Sequence, residues 1–365
     1  MEEETGEDVF YFVAPREKMT LSKKGTLREI LFDGRAHELV HLFTVPVQRQ
    51  YPASMLQARQ GEARDALTLS VLPPEIQYLI FDHIELIEDV VCFGLTNQYF
   101  WTLARGYLDD YYRSFLGTWS GKNFVCVGEK VKPDDYPADL FSAEEIDELR
   151  PLRTDVLRSR EGWSHVQFDT PFALSHFADC SVSSINDFVE LRESAWRILQ
   201  HCKLRGESKD PVFAARSWQV IPGDSAYLPQ DQPWVLRNLT TKEFVRAGAI
   251  AIKPEYVRGP YIELVGFGEV LILRTCWSSS PSNIRINNDT TGPPRGVWAG
   301  HRFDITTLAK HESDIDSAEW SDVSDEVARE IAEIWRHEFG TDIREGLEHW
   351  YPRRPNRNLW GITLP

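Results

Sequence analysis

Two histidines four residues apart enclose a glutamate in His37-Glu38-Leu39-Val40-His41. On a helix this spacing sets both imidazoles on one face, where they can hold zinc while the glutamate acts as general base toward a metal-bound water. The flanks fit that chemistry poorly. A zinc-protease helix is long and amphipathic, yet Gly34 precedes the motif, Pro46 follows it, and no third histidine stands at the extended-motif spacing. A structural histidine pair is the preferred reading, and a zinc metallopeptidase using His37 and His41 is the alternative. His301 and Asp304 form a second possible acid–base pair, on a glycine-rich run. The plainer reading is a sheet histidine with a hydrogen-bond partner. No GxSxG, Walker A or GxGxxG pattern occurs, and Gly266-Phe267-Gly268 lacks the third glycine of a phosphate cradle. The chain is therefore read as non-catalytic, with no cofactor and no metal.

A binding surface is the other candidate. Trp234 and Arg237 stand close to Thr240, Thr241 and Lys242, a mixture common at recognition surfaces. Trp298, His301 and Arg302 form a similar group. These six, Trp234, Arg237, Lys242, Trp298, His301 and Arg302, are the candidate contacts to a protein substrate. A core tryptophan followed by a turn is the simpler account of the first group, and it is preferred. Arg353, Arg354 and Arg357 make a basic tail that could meet an acidic partner or this chain's own acidic segment, His311 to Glu333, which holds nine acidic residues against Arg329.

Composition narrows the partners. The net charge of −16 opposes nonspecific binding to nucleic acid or anionic membranes. Cysteines 92, 126, 180, 202 and 276 are scattered, with no CxxC spacing, so a thiolate zinc site is not expected and a reducing compartment is. Met1 to Asp8 is acidic, not a basic-then-apolar leader, and no apolar run is long enough for a membrane span. A cytoplasmic or nuclear protein is expected. The sequons at Asn238 and Asn288 then have no role. Twelve tryptophans call for large cores or an aromatic surface.

Residues 72–105 are the most informative stretch. Ser70 can cap a first helix whose opening turn tolerates Pro73 and Pro74, and Glu75 suits the positive end of its dipole. Ile76, Leu79, Ile80 and Ile84 follow the spacing of one buried stripe, with Phe81 beside it. Glu88 and Asp89 open a second helix, expected over Val90–Asn97. Gly94 within it costs about 1 kcal/mol against alanine, which implies close packing there. Tyr99, Phe100, Trp101 and Leu103 begin a third helix, continued through Tyr107–Leu116. A unit of about 45 residues cannot bury all this apolar surface alone.

The stretch resembles an F-box. The resemblance rests on Leu72-Pro73-Pro74-Glu75-Ile76, the Ile80-Phe81 pair, the acidic link, Trp101, and the Val-Cys-Phe-Gly-Leu-Thr run at Val91–Thr96, the last close to a variant of fungal proteins. Trp234–Arg246 and Arg295–Asp304 are similar to the second half of mushroom-type F-box proteins. The resemblance implies binding to a Skp-type adaptor and through it to a cullin–RING ubiquitin ligase. The adaptor-facing residues would be Leu72, Pro73, Pro74, Ile76, Ile80, Phe81, Ile84, Val91 and Leu95. A binding scaffold that never joins a ligase is a further alternative.

The expected architecture is α+β in three parts: a partly disordered N-terminal extension over 1–65, an F-box-like helical unit over 66–116, and a C-terminal domain over 117–365 built on antiparallel sheet with flanking helices. Gln48–Leu67 reads as a linker. Ser142 with Glu145 predicts a capped helix through Leu149. Ser184–Leu199 and Asp322–Phe339 read as helices, the latter stopped by Gly340. Strands are expected at Asn123–Val127, Trp218–Ile221, Trp234–Leu239, Glu243–Val245, Gly248–Ile252, Tyr261–Val265, Glu269–Trp277 and Val297–Ile305, with a hairpin turn at Gly266–Gly268.

Overall fold

The computed structural model describes residues 7–32, 36–47, 69, 72–96, 98–158, 166–180, 182–183, 227–281, 292–314 and 319–340. In chain order, strands β1 (Val9–Ala14) and β2 (Met19–Thr26) lead into helices α1 (Leu27–Phe32) and α2 (His37–Phe43). Three helices follow: α3 (Pro74–Asp82), α4 (Ile87–Gly94) and α5 (Gln98–Arg113). Then come β3 (Val125–Gly128), α6 (Ala143–Leu149), β4 (Arg153–Arg158), β5 (Val166–Pro171), α7 (Phe177–Cys180) and β6 (Val182–Ser183). The remainder holds β7 (Trp234–Asn238), β8 (Glu243–Arg246), α8 (Ala247–Ile250), β9 (Val257–Arg258), β10 (Tyr261–Ile262), α9 (Phe267–Thr275), β11 (Cys276–Trp277), β12 (Phe303–Thr307), α10 (Leu308–Ser313), β13 (Ser321–Asp322) and α11 (Ser324–Phe339). The class is α+β.

The described residues fall into two compact units. One draws on Met1–Val45, Gly117–Asn186 and Gln230–Arg354, the other on Pro46–Leu116 and Asp187–Pro229. The expected boundary at residue 65 is corrected: the N-terminal residues are not an appendage. β1 lies inside a five-stranded sheet of order β11-β3-β1-β2-β6, paired antiparallel with both β2 and β3. The short run from Val9 has a partner because β3, more than a hundred residues on, presents Val125–Gly128 to it in register. The expected antiparallel sheet is in fact mixed. β11 runs parallel to β3 and β6 parallel to β2. A second sheet of order β12-β7-β8-β13 is antiparallel except where β13 meets β8. β4 and β5 form a separate antiparallel pair, as do β9 and β10.

The first sheet alternates its side chains between two cores. Val13, Val125 and Val127 pack with Leu140, Phe172, Leu174 and Phe177. On its other side Phe12 stacks on Phe124, and Phe43 of α2 meets Phe124, Trp119 and Phe303 edge-on. The α6 helix starts as expected: the Ser142 hydroxyl accepts from the Glu145 N–H at 3.2 Å, and the Glu145 carboxylate accepts from the Ser142 N–H at 2.7 Å. α11 buries Val327, Ile331, Ile334 and Trp335, and Gly340 ends it with φ of 82°.

Four expected strands are corrected. Glu269–Trp277 is mostly α9, with only Cys276 and Trp277 in a strand. All nine residues of α9 are buried, so the run has no polar face and no helical period to read. Gly266–Gly268 is the start of that helix, where the Glu269 carboxylate accepts from the Gly266 N–H at 2.8 Å. Gly268 is required there, because a Cβ would lie 1.9 Å from the Ala36 carbonyl oxygen. Gly248–Ile252 overlaps the short helix α8. Val297–Ile305 turns before it extends: Gly300 takes φ of 81° and β12 begins at Phe303. Tyr261–Val265 is a strand only over its first two residues. The expected linker Gln48–Leu67, helix Ser184–Leu199, strand Trp218–Ile221, cap Ser70, sequon Asn288 and tail arginines lie outside the described residues.

Candidate functional site

The second unit is organised around Gln77 and Phe81, one turn apart on α3 and both 1 % exposed. The Gln77 amide N–H donates to the carbonyls of Leu69 and Leu72, at 3.1 and 3.0 Å, and its carbonyl accepts from the Tyr99 hydroxyl. Phe81 lies 5.1 Å from Phe93 and stacks at 5.3 Å on Tyr107, whose hydroxyl donates to Asp82 at 2.6 Å. Burial, then the Asp82 hydrogen bond and charge, push the Tyr107 phenol well above its ordinary range. α4 meets α5 closely at Gly94, where a Cβ would come within 2.4 Å of the Ala104 Cβ. The sequence expectation of tight packing at that glycine holds. α4 begins at Ile87, three residues before its expected start, so Glu88 and Asp89 lie inside its first turn.

With Gln77 and Phe81 turned inward, α3 turns its other side out. Ile76 is 42 % exposed, Tyr78 45 % and Leu79 50 %; Leu86, in the link to α4, reaches 60 %. Together with Leu69, these are five of the eight exposed large apolar residues among those described, gathered in a stretch of fewer than twenty residues. Single exposed apolar residues are ordinary; five within one short stretch are the candidate contact surface of this unit. Of the stripe expected to be buried, Ile76 and Leu79 are exposed and Ile80 and Ile84 are half-buried. A polar side chain, Gln77, takes the inward place because it ties down the entry loop.

The nine adaptor candidates divide accordingly. Pro73 and Ile76 are exposed, while Leu72, Pro74, Ile80 and Ile84 are half-buried. Phe81, Val91 and Leu95 are corrected: at 1 %, 0 % and 6 % exposure they are core residues and offer no contact face. Tyr78, Leu79 and Leu86 were not among the candidates. Only the position of Gln77 could have pointed to them, since a buried glutamine fixes which face looks in.

The substrate candidates divide as well. Trp234 and Trp298 are 1 % exposed, which corrects both from surface contacts to core residues. The Trp298 indole N–H donates to Glu243 at 2.7 Å, and the Arg274 guanidinium lies over its ring at 4.6 Å. Arg237 is buried too, bound by Asp304 and Asp314 and lying 5.3 Å over Trp320. Lys242 pairs with Glu319, and Arg302 is exposed. His301 is half-buried, and its Nδ1 accepts from the Asn238 amide at 2.9 Å. Burial lowers its pKa, while Glu243 and Asp139 act in the opposite sense. Asp304 is committed to Arg237, so no acid–base pair forms with His301.

The zinc alternative fares no better. α2 is a seven-residue helix with His37 exposed and His41 2 % exposed. Leu39, Val40, Leu42 and Phe43 are all core residues. Its carbonyls are used structurally: His41 accepts from the Gly117 N–H at 2.8 Å and Leu42 from the Trp119 N–H at 2.8 Å. Among the described residues, no three of His, Cys, Asp or Glu are grouped to hold a metal ion. No described helix is long and apolar enough to cross a membrane. Comparison with protein families, with curated proteins and with solved structures finds no match to this chain.

Proposed function

We propose that this chain is a non-catalytic substrate receptor of a Skp–cullin–F-box ubiquitin ligase, acting in the cytoplasm or nucleus. Its helical unit α3–α5 binds the Skp-type adaptor, and the unit built on the two larger sheets receives a protein substrate. The observation that carries this reading is the grouping of Ile76, Tyr78, Leu79 and Leu86 on the outside of a unit whose inside is already filled by Phe81, Val91 and Leu95. It coincides with the F-box-like pattern beginning at Leu72. Burying this patch contributes about 25 cal/mol per Å² before the costs of association. The receptor role asks for no bond chemistry from this chain; its partner enzymes carry out ubiquitin transfer.

Co-expression with a Skp-type adaptor and size exclusion of the product tests the reading. A stoichiometric complex is expected, lost in the Leu72→Ala, Pro73→Ala double variant and in Ile76→Glu. A monodisperse chain that ignores the adaptor overturns it.

A further inference from the structure

Cys126 and Cys276 are register partners on the parallel strands β3 and β11. Adjacent strands lie about 4.8 Å apart, and residues directly opposite send their side chains to the same face. A disulfide needs Cα atoms about 4.4–6.8 Å apart, a range that such a pair meets without backbone movement. Both thiols are free and fully buried. The Cys276 thiol makes a weak contact to the Leu273 carbonyl at 3.1 Å. A buried cysteine most often serves as a small apolar side chain. Two of them facing each other across a strand pair can do more.

We propose that Cys126 and Cys276 are a protected dithiol that closes to an intrachain disulfide when β11 opens. Each reacting sulfur must first lose its proton. Burial pushes both thiols up, Cys276 to about 12, and Cys276 adds to the push on Cys126. While β11 is seated the pair is inert. β11 is two residues long and lies between β3 and the segment at Arg295, whose neighbour Gly296 donates its N–H to the Cys276 carbonyl at 2.7 Å, so both sulfurs are uncovered when β11 parts from β3. Its neighbours hold it in place: Ser278 donates to Asp8 at 2.5 Å, the Trp277 indole donates to Asp135 at 3.2 Å, and Arg295 lies over Trp277 at 4.1 Å. The oxidant is a low-molecular-weight disulfide. One thiolate attacks it, forming a mixed disulfide and releasing one small thiol. The second thiolate then displaces the other small thiol. Two protein thiols and one small disulfide thus become one protein disulfide and two small thiols. The closed loop spans about 150 residues, long enough for a substantial restriction of the unfolded chain.

The test uses the full chain carrying Cys92→Ala, incubated with oxidised glutathione with and without enough urea to loosen the sheet edge. Alkylation and peptide mass mapping follow. A crosslinked peptide joining Cys126 to Cys276 is expected, forming at least tenfold faster in the urea arm. The oxidised chain melts about 5–10 °C higher, and dithiothreitol reverses the shift. Cys276→Ala loses both the peptide and the shift. Persistent free thiols at both positions, or glutathione adducts without the crosslink, in both arms overturn the proposal. The mapping is done on native Cys126 and Cys276, so it stands even if Cys276→Ala fails to fold.

Discussion

Arg237 and Asp304 face each other on β7 and β12 and make a two-point contact, Nε to Oδ1 at 2.8 Å and Nη2 to Oδ2 at 2.7 Å. Both side chains are nearly excluded from water, at 10 % and 8 % exposure. Removing one member leaves a buried charge poorly compensated. Asp304→Ala is expected to cost about 3–5 kcal/mol. Urea unfolding measures this directly. A loss under about 1 kcal/mol would mean that Asp314, the other carboxylate on Arg237, compensates fully.

Asp135 gives the fold a dependence on acid. Burial pushes its carboxyl up, but hydrogen bonds from Arg295, Ser279 and Trp277 and the Arg295 charge outweigh this and hold it below its ordinary value of 3.8. As pH falls, the unfolded chain binds this proton before the folded one does. The stabilisation is therefore complete above about pH 4 and fades below it, as pH passes through the folded value. Asp135→Asn should melt lower than the parent at pH 7. The gap should narrow as pH drops below 4, which thermal melts at pH 7, 4 and 3 would follow.

Two glycines in helices predict opposite outcomes for the same change. A Cβ at Gly106, within α5, meets nothing within 4 Å. Gly106→Ala should stabilise by about 0.5–1 kcal/mol through helix propensity. At Gly268 a Cβ would strike the Ala36 backbone at 1.9 Å. The same propensity gain is outweighed there by strain of about 1–3 kcal/mol or more. Chemical denaturation of the two variants should shift the midpoint in opposite directions.

Contact and support can be separated on α3. Leu79→Asp changes an exposed side chain, so it should leave stability within about 0.5 kcal/mol and abolish adaptor capture. Phe81→Ala empties a site lined by Phe93, Phe100 and Tyr107 and should cost about 3–5 kcal/mol. Pairing each variant's unfolding curve with its adaptor pull-down checks both. An unaltered complex with Leu79→Asp would remove that residue from the contact surface.

Local signals in the sequence were legible where one element carries its own reason. Ser142 and Glu145 cap α6 three residues apart, and α11 shows its buried face through Val327, Ile331, Ile334 and Trp335. The existence of α3, α4 and α5 was equally clear, while the face of α3 that looks inward was not. That choice depends on Gln77 reaching Leu69 and Tyr99 reaching back, neither of which is a periodic signal. α9 was misread because burial on every side erases the alternation that separates helix from strand. The commitment of Asp304 to Arg237, rather than to His301 nearby, crosses 67 positions and has no trace in local spacing. The place of β1 in the sheet is invisible for the same reason: its two neighbours are β2, just downstream, and β3, which arrives only after the three helices of the other unit.

That placement of β1 bears on how the protein could be divided. A polypeptide begun at Gly117 retains β3 but loses the strand that pairs with all four of its residues, leaving Val125 and Val127 on an open apolar edge. Such an edge templates pairing with other chains. The sheet-bearing half would then come out of the cell in inclusion bodies unless the first 45 residues travel with it, whether fused ahead of Gly117 or supplied as a separate peptide.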